Sequence, residues 1–235
     1  MKNIFVLIFL LNSLINCYGQ TDKEFYKSGI SKFELQDYQG AITDFSKAIE
    51  INPNPSENYF NRGLSKAFLK DFRGAIADFN KVIEINPNDA DAYYLRGGAK
   101  FELQDYQGSI TDRSKAIEIN PKHTEAYYKR GLTKAMLEDH RGAIVDYTMA
   151  IEFNPNYSDA FYDRGRSKYK LKDYEGAILD YSKAIEIKPK YAGAYFMRGM
   201  AKLLLGQKDS GCIDLSKAGE LGEEKAYKAI KEVCN

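Results

Sequence analysis

Residues 90–123 read ADAYYLRGGAKFELQDYQGSITDRSKAIEINPKH, and this stretch returns with substitutions before and after itself at a step of 34 residues. Pro53, Pro87, Pro121, Pro155 and Pro189 keep that step, as do Gly29, Gly63, Gly97, Gly131, Gly165 and Gly199. Each half of the stretch has apolar residues at helical rather than alternating spacing, so each half is expected to be a helix. A repeat of this length cannot bury its apolar face alone. It does so by stacking on its neighbours, so chain length does not translate into a domain count.

Working outward, residues 22–222 divide into units 22–55, 56–89, 90–123, 124–157, 158–191 and 192–222. Positions are numbered 1 to 34 within each unit. The first helix is expected to run to about position 14. Position 16 is Asp37, Asp71, Asp105, Asp139 and Asp173 in five units, an N-cap for the second helix. That helix runs to about position 30 and is stopped by the proline at 32, which pushes its predecessor out of the α region. Residues 33–53 and 101–121 differ only at Ala41/Ser109 and Phe45/Arg113, and units 2 and 4 share further motifs, so a 68-residue super-period underlies the shorter one.

Phe25, Gly29, Ala41, Phe45, Ala48 and Pro53 in unit 1, and Phe161, Gly165, Ala177, Tyr181, Ala184 and Pro189 in unit 5, occupy positions 4, 8, 20, 24, 27 and 32. This pattern resembles the tetratricopeptide repeat, and the resemblance spans residues 22–222. It implies an all-α fold: a right-handed α-solenoid of antiparallel helix pairs, with a concave face formed by positions 2, 5, 9, 12 and 13. It also implies a role in protein–protein interaction. The carboxylate clamp of chaperone-binding members needs Lys at 5 and Asn at 9. Position 5 here is always aromatic and position 9 is Ile30, Leu64, Gly98, Leu132, Arg166 and Met200, so that partner class is not expected.

Three charged positions recur where the family usually has other residues or no fixed charge. Position 7 is Arg62, Arg96, Arg130, Arg164 and Arg198, with Ser28 in unit 1. Position 11 is Lys in all six units. Position 23 is Asp44, Asp78, Asp112, Asp146, Asp180 and Asp214. One reading is a basic groove for an acidic ligand. The preferred reading is an internal ionic ladder, since unpaired buried charge is costly. Because unit 1 alone lacks the arginine, each arginine is expected to reach back to the preceding unit's aspartate. The pairs are then Asp44–Arg62, Asp78–Arg96, Asp112–Arg130, Asp146–Arg164 and Asp180–Arg198. Lysine 11 is expected to pair within its own unit, as Lys32 with Asp44.

The position-5 row is Tyr26, Phe60, Tyr94, Tyr128, Tyr162 and Phe196, and Phe33, Phe101 and Tyr169 stand at position 12. These rings are the candidate binding surface. They could grip an extended peptide or, in a rival reading, a carbohydrate; or they could pack between neighbouring first helices. Arg113 occupies position 24, aromatic or leucine elsewhere, and is expected to leave unit 3 loosely packed unless its stem lies along the rings and its head reaches an acid or solvent.

Unit 6 drifts: Gly206, Gly211, Cys212 and Gly219 replace a polar residue, Ala, Ile and Ile. Residues 223–235 are expected to form a capping helix with Ala226, Ala229, Ile230 and Val233 inward. The first residues read as a secretory signal peptide over 1–19, with Lys2 followed by the apolar Ile4–Ile15. Membrane attachment is expected only if Cys17 is lipidated. Export leaves Cys212 and Cys234 as an even pair, hence an expected disulfide. The formal net charge is +1 with no basic block, so no nucleic acid is expected. His123 and His140 lack metal-ligand spacing, and no catalytic cluster or phosphate loop is present, so no metal, cofactor or enzymatic activity is expected. The expected role is a non-catalytic scaffold binding another protein or peptide in a bacterial periplasm or cell envelope.

Overall fold

In a computed structural model, residues 21–234 are described. The signal-peptide reading of 1–19, including Cys17, lies outside them. The fold is an all-α tetratricopeptide-type solenoid, and the described residues contain thirteen helices and no strand. The chain divides into two compact bodies at Gln104/Asp105. The first holds α1 (Asp22–Glu34), α2 (Tyr38–Ile51), α3 (Ser56–Phe68), α4 (Phe72–Ile85) and α5 (Ala90–Glu102). The second holds α6 (Tyr106–Ile119), α7 (Thr124–Met136), α8 (His140–Phe153), α9 (Ser158–Lys170), α10 (Tyr174–Ile187), α11 (Ala192–Leu204), α12 (Lys208–Glu220) and α13 (Glu224–Val233). Within each body every helix packs on the next. First helices of successive units also touch (α1 with α3, α3 with α5, α7 with α9, α9 with α11), so in each body they line the inside of the bend.

The turn inside each unit needs only two special residues. Position 15 is left-handed: Gln36, Lys70, Gln104, Glu138 and Lys172 have φ between 61° and 64°, and Gly206 has 75°. In unit 1 the amide of Asp37 donates to Lys32 O and that of Gln36 to Phe33 O, the paired bonds of a Schellman end. The same Asp37 then caps the next helix, accepting from Gly40 N at 2.9 Å. Asp71, Asp105, Asp139 and Asp173 repeat this. Gly206 is therefore no degeneration of unit 6, because it is the residue this backbone favours.

Close approach of the paired helices is set by glycine 8 against the ring at 24. A Cβ on Gly131 would lie 2.8 Å from the Tyr147 ring, and one on Gly29 would lie 2.7 Å from that of Phe45. Those rings are buried, as are the alanines at position 20 in the same units. In unit 6 the ring is replaced by Leu215. The two backbones close on each other, so that a Cβ on Gly199 would meet Gly211 O at 2.9 Å. Gly211 stands where the shorter separation allows no side chain.

The ionic ladder exists with a different register from the one expected. Arg62 forks onto Asp78 of its own unit, Nε donating at 3.0 Å and Nη2 at 2.7 Å. Arg130 does so with Asp146, Arg164 with Asp180 and Arg198 with Asp214. The preceding-unit pairs Asp44–Arg62, Asp146–Arg164 and Asp180–Arg198 are therefore corrected, as is Asp112–Arg130, since Nε and Nη2 of Arg130 donate to Asp146 and its Nη1 to Ser114. The reason is geometric. Positions 7 and 23 are equidistant from the turn residue at 15, so an antiparallel hairpin places them face to face. Lysine 11 joins the same carboxylate, as in Lys66–Asp78 at 2.7 Å and Lys134–Asp146 at 2.8 Å. Lys32–Asp44 matches the within-unit expectation.

What reaches back is the remaining arm of the arginine, and its target is position 25. Arg62 Nη1 donates to Ser46, Arg96 to Asn80, Arg130 to Ser114, Arg164 to Thr148 and Arg198 to Ser182, at 2.7–3.0 Å. The ring at position 4 covers the guanidinium, with Arg130 5.6 Å from the Tyr127 centroid. The residues before unit 1 do not continue the repeat, and there Ser28 donates directly to Asp44. Burial raises the Asp44 pKa, but the hydrogen bonds from Lys32 and Ser28 outweigh it and leave the carboxyl below its usual range.

Arg113 is 4% exposed. Its Nη1 donates to Lys129 O at 2.9 Å and to Thr133 Oγ1, so the head binds a carbonyl and a hydroxyl of α7. At the end of the chain, α13 packs on α12 and Cys212 is bonded to Cys234, with Cα atoms 5.9 Å apart. Ala226 is buried, but Val233, expected inward, is 41% exposed on the last turn beside the tether.

Three substitutions test this packing and its turns. Asp146→Ala strands Arg130 and Lys134 and is expected to cost about 3–5 kcal/mol in urea unfolding. Ser114→Ala, which removes one neutral partner, should cost only about 0.5–1.5 kcal/mol. Lys70→Gly relieves a left-handed lysine on the exposed turn and is expected to stabilise by about 0.5–1 kcal/mol, read as a raised melting temperature.

Candidate functional site

The position-5 rings first do structural work. Four of the six lean on a ring at 24: Tyr26–Phe45 at 6.0 Å, Phe60–Phe79 at 6.1 Å, Tyr128–Tyr147 at 5.9 Å and Tyr162–Tyr181 at 5.8 Å. Tyr128 is only 9% exposed, whereas Tyr26, Phe60, Tyr94, Tyr162 and Phe196 are half-buried. Phe33 packs edge-on against Tyr38 and Phe68, and Phe101 is half-buried. Tyr169 packs edge-on against Tyr174.

The second body carries a cavity of about 560 Å³ on the first-helix side. Two predicted rings, Tyr169 and Phe196, line it, with Leu132, Met136, Met197 and Met200 as further apolar wall. The polar part comes mainly from α9, with Glu138 and His140 also in the wall. Asp163, 8% exposed, accepts from Tyr128 Oη at 2.9 Å and pairs with Arg166 Nη1 at 3.2 Å. The Arg166 guanidinium sits 5.8 Å from the Tyr162 ring centroid with its side chain 55% exposed. The cation is thus braced by a ring and a carboxylate, while much of its surface faces the opening.

Burial pushes the Asp163 carboxyl above its usual range, and the Tyr128 hydrogen bond and the Arg166 charge offset only part of that. The desolvation of Arg166 is outweighed by Asp163, so its pKa rises and the guanidinium stays charged. Burial and the neighbouring Asp163 likewise raise the Tyr128 hydroxyl, which stays protonated and donating. Such an arrangement binds an anionic group beside apolar side chains. It places no nucleophile next to a base.

Asp163 and Arg166 were not singled out as binding residues from the sequence. Arg166 entered only as a mismatch to the carboxylate clamp. Their signal was present: two opposite charges three residues apart, on positions 6 and 9 of a first helix whose other units are mixed or apolar there. His123 caps α7 through Nδ1, and His140 stands at the cavity edge. Among the described residues no group of three His, Cys, Asp or Glu could hold a metal ion.

Tyr128→Phe removes the hydroxyl that satisfies a buried carboxylate oxygen. It is expected to cost about 1–3 kcal/mol in urea unfolding, against less than that for Tyr157→Phe, whose hydroxyl meets the exposed Glu125.

Comparison with known proteins places this geometry. The sequence matches two descriptions of one family, "TPR repeat" over residues 69–104 and 165–206 and "Tetratricopeptide repeat" over 25–55 and 90–123. No curated protein sequence matches the chain. Among solved structures, the MamA protein is 30% identical, with 73% of this chain and 94% of that chain aligned at a TM-score of 0.68. YrrB, described as a TPR protein with an unusual peptide-binding site, is 22% identical over 80% of this chain and 97% of that chain, TM-score 0.71. The C-terminal part of a TPR repeat-containing protein from Cytophaga hutchinsonii is 18% identical over 83% of this chain and 78% of that chain, TM-score 0.75. The last two likenesses concern the fold alone. Repeat period, helix-pair packing and these matches agree: the chain belongs to the tetratricopeptide repeat family.

Proposed function

We propose that this protein is a non-catalytic interaction scaffold that holds a segment of a partner protein in the cavity of its second body, in a bacterial cell envelope. The observation that carries the reading is Arg166, held by buried Asp163 and the Tyr162 ring in a cavity of about 560 Å³ whose wall is part apolar and part polar. Such a cation recognises a carboxylate, and the methionines and Phe196 around it receive an adjoining apolar side chain. The partner segment therefore presents an acidic residue next to an apolar one. The peptide-binding site described for YrrB is consistent with this kind of ligand for the fold. The envelope location rests on the N-terminal sequence pattern and on the expected export of a cysteine pair.

The test uses a photo-crosslinking amino acid at Met197, inside the cavity, and separately at Leu179, 71% exposed on the second-helix side. In the native envelope a discrete protein adduct is expected from Met197 and not from Leu179. Arg166→Gln should reduce that adduct by about tenfold, the loss of one charge-assisted hydrogen bond. Adducts of equal yield from both positions, or none from Met197, would place the binding surface elsewhere.

A further inference from the structure

The first body holds a second site whose ligand can be read from how later repeats fill the same place. In unit 4, Tyr157 at position 34 packs at a tilt against the position-5 ring of Tyr128, centroids 4.7 Å apart. Its hydroxyl bonds to Glu125 at position 2, and it packs against the cluster containing Ala160, position 3 of the next unit. Unit 5 repeats this. Tyr191 lies 4.8 Å from Tyr162, bonds Asp159, and packs against the cluster containing Ala194. An aromatic ring thus fills this slot in units 4 and 5, whereas Asp89 and His123 hold position 34 in units 2 and 3.

Unit 1 has the slot without the ring. Position 34 is Pro55, and a cavity of about 310 Å³ opens beside Tyr26 and Pro55, with Asn58 among its walls. Asn58 is 3% exposed, and its Oδ1 accepts no hydrogen bond from the protein. Position 3 is alanine in the four later units, Ala92, Ala126, Ala160 and Ala194, all fully buried. A buried asparagine with an unmet acceptor is unfavourable as packing. It suits a ligand that brings a donor.

We propose that this slot takes a tryptophan side chain of a partner protein, stacked on Tyr26 and donating its indole N–H to Asn58 Oδ1. Tryptophan fits better than tyrosine for two reasons. The hydroxyl of the internal tyrosines ends on a carboxylate at position 2, and that position is Lys23 here, which cannot accept. The free acceptor instead lies where Ala160 and Ala194 meet the ring, so the matching donor belongs on the edge of a ring, as in indole. Buried tryptophans with a satisfied N–H are also frequent anchors of interfaces. The site lies within residues 22–58 and does not depend on the cavity around Arg166.

The chain contains no tryptophan, so indole fluorescence reports the ligand alone. With N-acetyl-tryptophanamide as the probe, a saturable blue shift and a rise in anisotropy are expected. Asn58→Ala, which copies four other units, should weaken binding by about tenfold, the loss of one hydrogen bond. Pro55→Tyr should abolish it by supplying the missing ring. The backbone permits this change, since Pro55, Tyr157 and Tyr191 are all helix N-caps with similar φ, −68°, −81° and −83°. Thermal unfolding checks that both variants stay folded. N-acetyl-phenylalaninamide, with the ring but no edge donor, should displace the probe with a dissociation constant at least about tenfold above that of the probe itself. No saturable signal, undiminished binding by either variant, or equal competition by the phenylalanine amide would overturn the proposal.

Discussion

The buried carboxylate at position 23 is the constraint on which the rest of the packing depends. Asp146 is fully shielded from solvent and sits between two helices, where a lone charge would be strongly disfavoured. It is held by the fork of Arg130 and the ammonium of Lys134, so every oxygen is met within the same helix pair. The arginine in turn has one arm left over, and that arm bonds Ser114 in the helix before. One carboxylate therefore orders the hairpin, and through its arginine it sets the distance to the neighbouring unit. Ion pairs of this sort do little for net stability compared with an apolar filling, but they accept only one register.

Around this polar spine the apolar packing is tight at a few points. Glycine at position 8 exists because a ring from the facing helix occupies the space its Cβ would need. Where the ring becomes Leu215 the helices draw together, and a second glycine, Gly211, appears opposite the first. The substitutions that look like decay in unit 6 are thus coupled changes. The same end is tied by the Cys212–Cys234 bridge, which holds α13 against α12.

The interesting chemistry lies where the period is broken. Asp163 and Arg166 interrupt positions that are apolar or mixed elsewhere, and they turn a gap between first helices into a cavity with a fixed cation. Pro55 and Asn58 interrupt positions filled by Tyr157, Tyr191 and alanines in later units, and they leave a ring-sized space with an acceptor in its wall. A solenoid keeps its backbone spacing constant whichever side chains it carries, so each local departure becomes a site without disturbing its neighbours.

The sequence by itself determined the repeat length, the two helices of each unit, the aspartate that caps the second, the proline that ends it and the pairing of two cysteines. The helices, their caps and the repeat are set by local backbone preferences or by a period that the chain displays directly, and the cysteine pairing by an even count near one end. It also determined that the charges at 7, 11 and 23 belong together, because a buried ion needs a partner. Only the tertiary structure decided which partner. Position 7 meets position 23 across the same hairpin because both stand eight residues from the turn, and it reaches back to position 25 with the arm that remains. A hydrophobic period says which face is covered, and it is silent on what covers it. The cavity around Arg166 and the slot beside Tyr26 are therefore spaces between helices that no pattern along one helix could outline.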